Sequence, residues 1–415
     1  MTTLFVAVAV ALPAAAARQE PLLEHSIVGS ESCRDGIPCF GTLMENLAVQ
    51  RFLLDLARAP VDVATADAAL RRAGVAAQDL LALRLMRREG DRYALAFALF
   101  TADDVRRIRE RSGLYAASLA RAILERRGEI ERALSAYDAP GVDRGAVAYF
   151  LLGCVSLDWD GLEITGRRGD RATSAKRPGG DFVPAAQEKT AQSLKGIYWG
   201  SHNARIGGTG FTSFGDHFSR RFAYPDLLWS VPSRIATRDG DPESAGHALQ
   251  MLVSASLGNS AAQVARIMLA LRERERTAAE LAGVAALAPD EATALLDALA
   301  AIDYVGETDG RYRALVPVLT ARDRALSDGL RRIGREVIER WLAAHYAEMR
   351  SQMADLGYVR SGVPFEEGFT MIWHYVFGIT NRKLAEAGLF ADPYAPGRRF
   401  KGAIPAVYSL EFSPP

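Results

Sequence analysis

The stretch Gly90-Asp91-Arg92-Tyr93-Ala94-Leu95-Ala96-Phe97-Ala98-Leu99-Phe100-Thr101-Ala102-Asp103-Asp104 occurs in this chain in two versions. The second is Gly310-Arg311-Tyr312-Arg313-Ala314-Leu315-Val316-Pro317-Val318-Leu319-Thr320-Ala321-Arg322-Asp323. Arg92, Tyr93 and Thr101 return as Arg311, Tyr312 and Thr320, an offset of 219 (311 − 92). In both versions a Gly/Asp turn opens a strand of apolar or alternating residues, and a Thr then starts a long helix. The Thr hydroxyl can accept an orphan N–H, and the acid that follows faces the positive helix end. Upstream, Leu80, Leu83 and Met86 answer to Leu299, Ile302 and Val305 at the same offset. Self-similarity at one spacing over this length predicts an internal duplication.

Working outward, Leu43, Leu47, Phe52, Leu53 and Leu56 predict an amphipathic helix from Thr42 to Ala59, broken at Pro60. Two short helices follow, Val63 to Ala73 and Ala76 to Met86, separated by Gly74 in a helix-turn-helix arrangement. After the quoted strand, Val105, Ile108, Tyr115, Leu119, Ile123, Ile130 and Leu134 stripe a long helix that ends at Pro140-Gly141. A further apolar helix runs from about Gly145 to Leu162. The second half keeps the order. Ser260 to Arg274 is its first helix, Thr277 to Glu280 forms a capping box, and Pro289-Asp290-Glu291 opens the third helix. Leu326, Leu330, Ile333, Val337 and Trp341 stripe its long helix. Leu162 and Gly166 then match Leu384 and Gly388 at an offset of 222 (384 − 162).

Helix, short strand, Gly/Asp turn, strand and long helix together resemble the wing of a winged helix-turn-helix domain, of the multiple-antibiotic-resistance and arsenic-repressor types. The expectation is a mainly α protein with small β wings, two such units forming a single-chain pseudo-dimer around an irregular insert. The boundaries are 1–41 for an apolar N-terminus and linker, 42–166 for unit 1 and 167–246 for the insert. Unit 2 is 247–397 and the tail is 398–415. The resemblance implies that each third helix enters a major groove while the wing lies on the flanking backbone. In unit 1 the residues placed to meet double-stranded DNA are Arg71, Arg72, Gln78, Arg84, Arg87, Arg88 and Arg92. The third helix of unit 2 carries Asp290, Glu291 and Asp297 and no Lys or Arg, so phosphate should repel it. That acidic unit suits a protein partner better.

The insert begins with a charged, Gly-rich piece from Gly166 to Gly180. Leu194 to Asn203, Phe211 to His217 and Tyr224 to Trp229 follow, dense in aromatics and Gly. Such text reads as irregular structure held by specific contacts. It holds a cluster of ligand-type side chains, His202, Asp216, His217 and Asp226, which could bind zinc or another divalent metal, or a small-molecule effector. The competing reading has them bonded to loop backbone. Gly207-Gly208-Thr209-Gly210 is no phosphate loop, because no strand precedes it and no Lys-Ser/Thr follows.

Fifty basic and fifty acidic residues balance, so any hold on nucleic acid must come from a local patch. Of three cysteines, Cys154 reads as a core residue, while Cys33 and Cys39 form a small disulfide loop only if the chain is exported. Met1 to Ala17 is apolar and ends in a small-x-small motif, but no Lys or Arg precedes the run. Cytoplasmic residence is the favoured reading, with a secretory signal over 1–17 as its rival and no membrane span after it. No nucleophile elbow, His-Glu-x-x-His or dinucleotide fingerprint is present, so an enzyme is not expected. His374 reads as a half-buried helix residue, and Trp159 as packing between exposed Asp158 and Asp160. The expected function is a bacterial transcriptional regulator binding DNA mainly through unit 1. The alternatives are a protein-interaction or small-ligand-binding module, and an exported metal-dependent enzyme using the insert.

Overall fold

Gly90 adopts φ +64°, and the strands on either side of it close a hairpin in which Arg88 faces Tyr93 and Glu89 faces Arg92. The same turn in the second version has both Asp309 (φ +52°) and Gly310 (φ +74°) left-handed, as an Asp-Gly hairpin prefers. A computed structural model describes residues 22–31, 39–177, 180–190, 195–206, 208–216, 261–301, 303–398 and 402–412.

The first half runs β1 (Leu23–Glu31), α1 (Phe40–Met44), α2 (Leu47–Arg58), β2 (Val61–Asp62), α3 (Val63–Arg72), α4 (Ala77–Ala82), β3 (Met86–Glu89), β4 (Arg92–Leu95) and β5 (Ala98–Phe100). Then come α5 (Ala102–Leu124), α6 (Arg127–Leu134), α7 (Arg144–Ala148), a π-helix (Tyr149–Asp160) and α8 (Gly161–Arg168). Four strands follow, β6 (Lys176–Arg177), β7 (Gly180–Glu188), β8 (Tyr198–Ile206) and β9 (Thr209–Asp216). The second half runs α9 (Ala261–Glu273), β10 (Arg276–Thr277), α10 (Ala278–Ala285), α11 (Pro289–Ala301), β11 (Val305–Thr308), β12 (Arg311–Ala314) and β13 (Val318–Leu319). It closes with α12 (Arg324–Gln352), α13 (Gly357–Arg360), α14 (Phe365–Glu386) and β14 (Ala403–Ser409). The protein is mainly helical, with several small sheets.

Local chemistry accounts for the helix starts. Asn46 accepts from the N–H groups of Ala48 and Val49, Asp62 from Thr65, and Thr101 exchanges bonds with Asp104 in a capping box. The first head is the order α2–β2–α3–α4–β3–β4, with strand order β2-β4-β3. The second is α9–β10–α10–α11–β11–β12, with strand order β10-β12-β11. Val61 pairs with Tyr93 and Arg276 with Tyr312, so each tyrosine sits opposite the short strand of its own head. The expected helix from Ala76 to Met86 is only Ala77–Ala82, because Arg84 turns left-handed (φ +53°) and Met86 already belongs to β3.

The long helices α5 and α12 run antiparallel. Arg111 pairs with Asp355, Trp341 Nε1 donates to Ser118 Oγ at 3.3 Å, and Arg126 reaches Glu336 at 3.2 Å. Each long helix also packs on the terminal helix of the other half, α5 on α14 and α12 on the π-helix. At the second contact Gly334 lets α12 approach so closely that a Cβ there would lie 2.6 Å from Ser156 Cβ. The first head merges with the main core, while the second keeps a smaller core of its own around Val264, Met268, Leu296 and Tyr304.

Two expectations are corrected. Among the described residues between 180 and 216, the part expected to be irregular forms three strands divided between two sheets: β7 joins β1 and β5, while β8 and β9 join β14 and β13. Asp158 and Asp160 are buried rather than exposed, and it is Trp159 that is only partly covered. The helix carrying them is π-wound and is buried at every residue except Trp159, so it has no solvated face to receive the two acids. Among the described residues no helix is long and apolar enough to cross a membrane.

Candidate nucleic-acid interface

The residues expected to meet DNA do not share one fate. Arg71 and Arg72 end α3 and are exposed; Gln78 is exposed on α4; Arg88 and Arg92 are exposed on the hairpin. Arg84 is exposed as well, and its backbone is pinned: its N–H donates to Leu81 O, and its carbonyl accepts from Arg177 at 2.8 Å. Left-handed backbone costs a bulky residue about 1–2 kcal/mol, so this Arg is held there by its surroundings. Arg87 departs from the group. Its guanidinium donates to the carbonyls of Leu95 and Ser361 and pairs with Glu89, so it is spent on holding β3 to the loop after α13.

Arg177 is a residue that sequence reasoning missed. It lies 8% exposed in β6, donates to Leu83 O at 2.6 Å, Arg84 O at 2.8 Å and Phe182 O at 3.2 Å, and lies 3.5 Å from Glu367. A cation on the two carbonyls that directly follow α4 stands at the negative end of that helix. Burial lowers the Arg177 pKa and raises that of Glu367, while their mutual attraction opposes both shifts. Nothing in its charged, Gly-rich surroundings distinguished Arg177 from its neighbours.

The second head presents acid where the first presents base. Asp290, Glu291, Asp297, Glu307 and Asp309 are all exposed. Its hairpin cations bond locally at the surface: half-buried Arg313 donates to Thr308 Oγ1 at 3.1 Å, and exposed Arg311 donates to Glu275 O at 3.5 Å. Glu280 bonds to Arg274 and caps the Thr277 N–H, which holds its carboxyl down at about 2.

Of the expected metal or effector residues, Asp216 is buried at the end of β9. Its carboxylate accepts from Gly196 N–H at 3.1 Å and Tyr394 O–H at 2.7 Å. The backbone of His202 lies in β8 opposite Ser213. His217 and Asp226 lie outside the described residues. Among the described residues no group of three or more His, Cys, Asp or Glu could hold a metal ion. A different pairing occurs nearby. His374 on α14 donates through Nδ1 to Thr370 O at 2.7 Å, which turns Nε2 toward Asp158 on the π-helix, 4.0 Å away, with Trp199 edge-on to the ring. Cys154 is free and fully buried, and burial pushes its thiol well up, so it is an inert core residue. Cys39 is disulfide-bonded.

Comparison of the chain with protein-family profiles, with curated proteins and with solved structures finds no match.

Proposed function

We propose that the chain is a winged-helix regulator whose two units form a single-chain pseudo-dimer, and that it contacts double-stranded DNA through the first unit. The fold part of this reading is supported by the shared element order of the two heads and the shared strand orders β2-β4-β3 and β10-β12-β11. Left-handed Arg84 and Asp303 lie at the same 219-residue offset (303 − 84). The observation that carries the DNA reading is the set of exposed arginines 71, 72, 84, 88 and 92 around α4 and its hairpin, with Gln78 between them. Arginines on the flanks position the duplex by its phosphates, and an amide on the third helix reads a base edge. Cytoplasmic residence goes with this function.

The test is a gel-shift series against salt. Five phosphate contacts predict a log–log slope of about −4.5. Arg84→Glu combined with Arg88→Glu should abolish binding to the preferred fragment, and Arg311→Glu should leave it in place. Absence of salt-sensitive binding to any duplex would remove the reading.

A second reading is favoured by one observation, the disulfide at Cys39. Disulfides persist in oxidising compartments, away from the chromosome. On that reading the chain is an exported protein- or ligand-binding module that keeps the winged-helix fold without its DNA role. The mass of the native N-terminus separates the two, because a mature chain beginning near Arg18 belongs to the second.

A further inference from the structure

We infer that this protein reads one asymmetric DNA half-site rather than an inverted repeat. The inference rests on the regulator reading and specifies the duplex it takes. Two-fold DNA-binding dimers place matching helices in two major grooves about one helical turn apart, which is why their operators are palindromic. Here the long helices α5 and α12 cross antiparallel and the two heads repeat one plan, so the frame for a two-site reader is present. The surfaces it carries are not equivalent.

Over the paired stretches the charges are opposite. Residues 62–92 hold six arginines against five acids (Asp62, Asp67, Asp79, Glu89 and Asp91), a net of +1 (6 − 5). Residues 277–311 hold one arginine against seven acids (Glu280, Asp290, Glu291, Asp297, Asp303, Glu307 and Asp309), a net of −6 (1 − 7). The contrast lies in number rather than in exposure. Arg71, Arg72, Arg84 and Arg92 of the first head are exposed and in no ion pair among the described residues, and in the second stretch Arg311 alone matches them. The third helices differ as well: α4 offers an exposed Gln78, and α11 offers exposed Asp290, Glu291 and Asp297. A major groove is flanked by two rows of phosphates, and charges within one Debye length of about 8 Å are felt almost unscreened. The second head is therefore repelled from the groove that two-fold geometry would bring it to. The bound duplex has one specific half-site, with no dyad partner.

The experiment is selection of full-length protein on a random duplex library, followed by hydroxyl-radical footprinting of the recovered sequences. The expected motif is a single contiguous element without inverted symmetry, protected over about one helical turn, with a salt slope of about −4.5. Arg88→Glu should weaken binding at least tenfold, and Arg311→Glu should change it less than twofold. Recovery of inverted repeats with half-site centres about 10 bp apart, protected on both sides and with a slope near −9, would overturn the inference while leaving the regulator reading intact. A library yielding no salt-sensitive ligand would remove both together.

Discussion

The hydroxyl of Tyr137 donates to the carbonyl of Val318 and accepts from the N–H of the same residue, each at 2.9 Å, across 181 positions of sequence. Tyr137 follows α6, and Val318 opens β13, so one side chain of the first half completes the backbone pairing of a strand in the second. The Arg272 guanidinium lies 4.5 Å over the same ring while bonding Asp323 and Asp138. Burial pushes the phenol up to about 12, so it remains a donor throughout the working pH range. Tyr137→Phe keeps the ring under Arg272 and leaves a buried N–H and C=O unsatisfied. The expected loss is about 1–3 kcal/mol, read from the urea midpoint. An unchanged midpoint would mean that the contact is not part of the folded seam.

Gly334 and Ser156 set how closely α12 meets the π-helix. Gly334→Val places branched carbon where Ser156 already stands, so the helices must separate or shift. The variant should lose about 1–3 kcal/mol, and Gly113→Ala, whose added Cβ would meet nothing within 4 Å, should cost little. Equal loss in both would mean that close approach is not the cause.

Arg87 and Arg88 are adjacent and chemically identical, yet they should fail differently. Arg87→Ala removes bonds to Leu95 and Ser361 and should lower the melting temperature. On the proposed DNA-binding function, Arg88→Ala should leave melting unchanged and reduce the salt slope of binding by about 1. The swap of these two phenotypes would contradict the assignment of roles.

Acid should weaken the fold through its arginine-bound carboxylates. Hydrogen bonds hold Glu163 (to Arg335), Asp355 (to Arg111), Asp138 (to Arg272) and Glu336 (to Arg126) below their ordinary values. A carboxylate depressed in the folded state contributes its full stability above the unfolded value, which is 3.8 for Asp and 4.5 for Glu, and loses it as pH falls through the folded value. Glu367, raised by burial, acts in the opposite direction as a single group. Urea midpoints should hold from pH 7 to about 5 and decline below, an effect that high salt reduces because these pairs are partly exposed. A midpoint rising on acidification would contradict the sign.

What the chain determined by itself is what nearest neighbours decide. The turns at Gly90 and Gly310, the caps at Thr101 and Thr277, and the apolar stripes of the long helices each depend on residues within a few positions. They are therefore legible in order, and the 219-residue offset is legible with them. The break at Asn46, which splits the helix expected from Thr42 to Ala59, is not among them. Tertiary structure alone decided the rest. Strand β7 hides in a stretch of small and apolar residues because it is buried along most of its length, so no polar alternation marks it, and its parallel partner β5 lies 87 positions upstream (185 − 98). The π-helix has no compositional mark, since it differs from an α-helix by one residue in each hydrogen-bonded turn, and the burial of Asp158 and Asp160 comes from neighbours that surround the whole segment. Arg87 and Arg88 show the limit most plainly. Successive strand residues point to opposite faces, and which face meets the loop carrying Ser361 is settled only when that loop arrives from 274 residues away.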